Sequence, residues 1–219
     1  MQATTVLPAN YRRQAAFDLS KNRKALIGAM ASGIALLLVV GWLLVQLTNL
    51  LRPAALEGLG LRDILTTTPE GSTSVTIPFQ LIVDGVIACA LVMITHELVH
   101  GAFYWLYSGR RPIIGIKGPS LYAAAPTGVY FPRNQYLVVG LAPLVLLTLV
   151  GLLMMMVAPL AAVPIFMLFI TFNAAGAAGD LLIVGWLLLS YSPDTLFQDA
   201  DTGTIAYAPE YQQDTVSSS

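Results

Sequence analysis

Four long runs of apolar residues alternate with polar stretches along this chain. They lie at about 25–47, 79–107, 136–157 and 163–189. Each supplies the roughly 20 residues that a helix needs to cross a bilayer. Pro159 and Pro164 flank a short apolar turn between the last two runs, so those helices are expected to be antiparallel neighbours. The segment 108–135 is cut by Gly115, Gly118, Pro119, Pro126, Gly128 and Pro132, with β-prone pieces "IIGIK", "SLYAAA" and "GVYF" between them. The expected fold is all-α and integral to the membrane, with about four transmembrane helices. A small β-prone cytoplasmic loop would join the second to the third. Residues 1–24 form a leader, 25–190 the membrane domain and 191–219 an acidic tail. The end of that tail, "QQDTVSSS", is expected to be disordered.

Composition agrees. Of 219 residues, 56% are hydrophobic and 11% charged, against roughly 25% charged in soluble chains. Mean hydropathy is +0.72. The net charge of −1 gives no global field for nucleic acid, and none is expected as a partner. Cys89 is the only cysteine, which excludes a disulfide framework and a cysteine-rich zinc finger. The first apolar run is too long for a signal-peptide core and follows a polar leader, so it reads as a retained anchor.

Basic residues set the orientation. Arg12, Arg13, Lys21, Arg23 and Lys24 lie in the leader, and Arg110, Arg111, Lys117 and Arg133 in the 108–135 segment. Only Arg52 and Arg62 lie between the first two runs. Both termini and the 108–135 loop are therefore expected in the cytoplasm, and the 48–78 loop on the other side.

Three acids remain inside the predicted spans: Asp84, Glu97 and Asp180. Ionisable groups are expensive there and point to function. Both histidines of the chain lie beside one of them, in "HELVH" at 96–100. Positions four apart share one helix face. His96 and His100 can thus bind one metal ion while Glu97 reaches a water as general base, the zinc-hydrolase arrangement. The bland alternative is a pair of core histidines bonded to backbone or to Glu97.

A catalytic zinc site has three protein ligands, and no histidine or cysteine is left for the third. With about 1.5 Å of rise per residue, Asp180 and the histidines reach similar depth, whereas Asp84 lies about 18 Å from His96. Asp180 is the better third ligand. Asp194, Asp199 and Asp201 of the tail are weaker candidates. Asp84 is expected near the outer interface, solvated or paired. Asn173 precedes Asp180 by two turns and can hydrogen-bond a substrate carbonyl or oxyanion, or bond across helices. The small residues of "NAAGAAGD" permit close helix approach. A strand edge in the 108–135 loop can hold an extended peptide, or the loop can merely set topology.

"HELVHG", "APLVLL", "NAAGAAGD" and "QDADTG" together resemble a bacterial and archaeal membrane family of unknown function labelled "putative zincin peptidase". The resemblance runs from about Pro78 to Tyr207. More distantly the chain is similar to the site-two intramembrane metalloproteases. That likeness implies His96, His100 and Asp180 as metal ligands, Glu97 as base and Asn173 as a substrate-binding residue. Those proteases usually carry prolines after the asparagine and a glycine after the aspartate; here alanines and glycines follow Asn173, and Leu181 follows Asp180. The reading is a zinc-dependent membrane peptidase acting on a protein or peptide. Its rivals are a non-catalytic metal-stabilised protein that binds a partner and, more weakly, an ion-coupled transporter using Asp84 and Asp180.

Overall fold

The computed structural model describes residues 2–19, 21–57, 65–67, 73–117, 120–200 and 203–210. The first apolar run forms helix α1 (Arg23–Leu51), followed by the one-turn α2 (Ala54–Glu57). The second and third form α3 (Phe79–Ser108) and α4 (Arg133–Val157). α1, α3 and α4 are long and apolar enough to cross a membrane. Their outward faces carry bare apolar side chains, among them Met30, Ile34, Leu38 and Trp42, each at least 60% exposed. Such surface is at home in lipid rather than in water. Cys89 sits on the exposed surface of α3.

The fourth run departs from the expected continuous span. It is two helices, α5 (Val163–Gly176) and α6 (Ala178–Ser190), bent by 42°. The break falls within "AAGAAG", where glycine lowers helix stability and small side chains hold no rigid axis. Asp180 thereby sits in the first turn of a new helix, where the macrodipole favours negative charge.

α5 packs against α1, α3 and α4. Phe169, Ile170 and Met167 of α5 join Leu44, Ala88, Val92 and Leu147 in one core. Gly151 of α4 allows this closeness, because a Cβ there would lie 2.5 Å from Ile170 Cγ1.

The all-α expectation is corrected by three small sheets. Strands β2 (Leu65–Thr67) and β3 (Thr73–Val75) pair in the 48–78 loop. In the 108–135 segment, "IIGIK" and "SLYAA" form the hairpin β4 (Ile113–Lys117) and β5 (Ser120–Ala124), as their β-prone sequences predict. The larger sheet joins β1 (Tyr11–Phe17), β6 (Phe131–Pro132), β7 (Leu196–Ala200) and β8 (Gly203–Pro209), antiparallel in the order β1-β8-β7-β6. Leader, loop and tail thus meet at one end of the helices. Thr204 and Ala206 of β8 point inward, and Phe197, Phe131 and Leu187 pack beneath the sheet. The expected disorder of "QQDTVSSS" lies outside the described residues, as does Asp201.

Candidate metal centre

α3 is unbroken through "HELVH", so His96 and His100 stack one turn apart, with ring centroids 4.9 Å from each other. α6 brings Asp180 to them. Its Oδ2 lies 3.1 Å from His96 Nε2 and 3.5 Å from His100 Nε2. The three ligating atoms all fall within 4.8 Å of one another, and both histidines are buried. Ligand atoms at zinc distances of about 2.0–2.1 Å in a tetrahedron stand about 3.3 Å apart, which the two measured spacings bracket.

The other ring nitrogens fix what these atoms can do. His100 Nδ1 lies 2.9 Å from Val139 O, which can only accept, so Nδ1 carries the proton. His96 Nδ1 lies 3.0 Å from Asn173 Oδ1. The Asn173 amide nitrogen donates toward Pro143 O and Leu144 O, which leaves its oxygen as the acceptor for His96. In the neutral rings both Nε2 atoms therefore present lone pairs toward a carboxylate. Three electron-rich atoms face one another, and a cation between them resolves the conflict. The residues fit a zinc ion.

Glu97 is tied to the hairpin by one carboxylate oxygen. Its Oε2 accepts the backbone N–H of Ala123 on β5 at 2.7 Å. Gly101 faces the same segment, where a Cβ would meet Pro112 and Ala123 at ordinary contact distances of 3.4 and 3.7 Å. Glu97 and Asp180 line two adjoining cavities of about 260 Å³ each.

The remaining candidates are placed as follows. Asn173 is fully buried, with its carboxamide engaged by His96 and the α4 carbonyls. Its side chain engages His96 and α4 in this structure rather than facing open space. Asp84 is also buried, not solvated, and accepts from Gln80 Nε2 at 2.7 Å. Asp194 is exposed. Asp199 is not among the three ligating residues, but it lines the first cavity, where Tyr136 Oη donates to its Oδ1 and Ala125 N–H to its Oδ2. Sequence reasoning did not find Tyr104 and Tyr136, which share that cavity wall. One signal existed: Tyr104 follows His100 by four positions and extends the same helix face.

Residues 89–196 match the model of a family described as "Putative zincin peptidase". The matched stretch contains "HELVH", Asn173 and Asp180. No curated protein and no solved structure matches the chain.

Proposed function

We propose that the chain is a zinc-dependent, membrane-embedded peptidase that hydrolyses peptide bonds in or near the bilayer. The observation that carries this is the pair of Nε2 lone pairs, fixed from behind by Asn173 and Val139, converging with Asp180. The family match supports the same reading. His96, His100 and Asp180 hold the ion. Zinc, when bound, supplies Lewis acidity toward a water and a carbonyl oxygen.

The protein's own groups do the rest. Glu97 takes a proton from the attacking water and passes it to the leaving amine. Asn173 and Val139 O keep the imidazoles in the ligating tautomer. Asp180, at the start of α6, adds negative charge that favours a dication. β5 pairs with β4 alone among the described strands, and Glu97 accepts the Ala123 N–H on its outer edge, so an extended peptide in the adjoining cavity would lie beside that edge rather than pair with Ala123. The basic residues of the leader and the 108–135 segment set the sheet end in the cytoplasm, with both termini there and the helices in a prokaryotic plasma membrane.

The rival reading is a metal-stabilised binder without catalysis. Glu97→Gln separates the two. In a peptidase, about one zinc per chain is retained while cleavage of a casein or peptide substrate falls at least about 100-fold. Unchanged cleavage removes Glu97 from the mechanism. Zinc lost together with cleavage makes Glu97 a structural ligand and sinks the catalytic reading.

A further inference from the structure

We propose that Asp199 forms a cation-binding subsite beside the metal centre, and that the substrate group it takes is an ammonium or guanidinium. This deepens the peptidase reading and rests on it for the term substrate.

Asp199 lines the same cavity of about 260 Å³ as Glu97, His100 and Asp180. Its carboxylate is half-buried, and the groups against it are neutral: the Tyr136 hydroxyl, the Ala125 N–H at 2.9 Å and the Tyr104 hydroxyl. A carboxylate has about four lone-pair sites, so about one contact remains open. No ion pair among the described residues involves Asp199. Among the described residues, no lysine or arginine lines the cavity. A zinc ion on His96, His100 and Asp180 offsets the charges of Asp180 and Glu97, and leaves that of Asp199. A partly buried charge without a counter-charge is costly, and a ligand cation removes the cost.

Strand geometry supplies the distance. Glu97 accepts the N–H of Ala123 and Asp199 accepts that of Ala125. The two carboxylates therefore cap alternate N–H groups on one edge of the same chain segment. Alternate residues of a strand stand about 6.6–6.8 Å apart. A peptide in the cavity with its reacting carbonyl near Glu97 has its next residue or two level with Asp199, without pairing to the N–H groups that the two carboxylates hold. An amino terminus one or two residues from that bond reaches it. So does a lysine or arginine side chain from a neighbouring position.

The experiment is equilibrium binding of fluorescent peptides to the zinc-loaded Glu97→Gln protein in lipid nanodiscs, with turnover blocked. One pair of peptides differs only by acetylation of the amino terminus. A second, acetylated pair differs only by lysine against norleucine beside the central bond. The expected result is that the cationic member of at least one pair binds about tenfold more tightly. Adding Asp199→Asn, or Asp199→Ser, should bring the members of that pair within about twofold, with zinc content unchanged as the check on the fold. The pair that responds identifies the source of the cation. Equal binding within both pairs by the protein that keeps Asp199 overturns the proposal, as does a preference that survives both Asp199 substitutions. Cleavage by the wild-type protein is scored separately. If no peptide is cut while the cationic preference is present, the peptidase reading fails and the subsite stands.

Discussion

Asp84 and His96 lie on the same helix, α3, and both are polar groups sealed from the bilayer, yet they are satisfied in opposite ways. Asp84 takes a hydrogen bond from Gln80, one turn earlier on its own helix. His96 reaches α5 through Asn173 and α6 through Asp180. A local partner lets a polar residue sit in a span without shaping its neighbours. Convergence from three helices requires the bundle to be built around the site. In a membrane segment, the reach of the partners separates a functional group from a tolerated one better than burial does.

The comparison breaks most visibly at His96. His96→Ala leaves two ligands, and zinc measured on the purified protein should fall from about one per chain to near zero, with peptide cleavage lost. A full zinc complement in that variant would dissolve the contrast. Asn173→Ala tests the support behind the ligand. Outer partners of metal-bound histidines are typically worth about 10–100-fold in affinity, so a chelator-competition titration should show weaker zinc binding in a chain that still folds. Unchanged affinity would make Asn173 a packing residue only. The smallest effect belongs to Asp84→Asn, which keeps an acceptor for Gln80. Zinc content and turnover should stay within about twofold, because residues about 18 Å apart with no shared partner act independently. A loss of zinc there would couple the two places and blur the distinction.

His96, His100 and Asp180 were legible in the sequence because a helix repeats its faces and a bilayer fixes depth. The role of Asn173 was harder to read. Counting two turns to Asp180 assumed a continuous helix, and the bend at Ala177 directs the two side chains to different atoms of the same imidazole. The β4–β5 hairpin followed from its glycine and proline punctuation. The four-stranded sheet did not, because its strands come from leader, loop and tail, and each is too short to announce itself without the others. Asp199 was weighed only as a metal ligand. Its company of Tyr136 and Ala125 exists only once the tail folds back.

The pairing of β1 with β8 joins segments about 190 residues apart. Synthesis at about 5–20 residues per second separates their appearance by roughly 10–40 s. During that interval α3, with "HELVH", leaves the ribosome before Asp180, Asn173 or Asp199 has been made. The growing chain therefore passes through a stage in which the motif is complete and the metal centre is not. On the proposed reading, hydrolytic competence would be acquired late in the making of the protein, after most of its own apolar segments have been made.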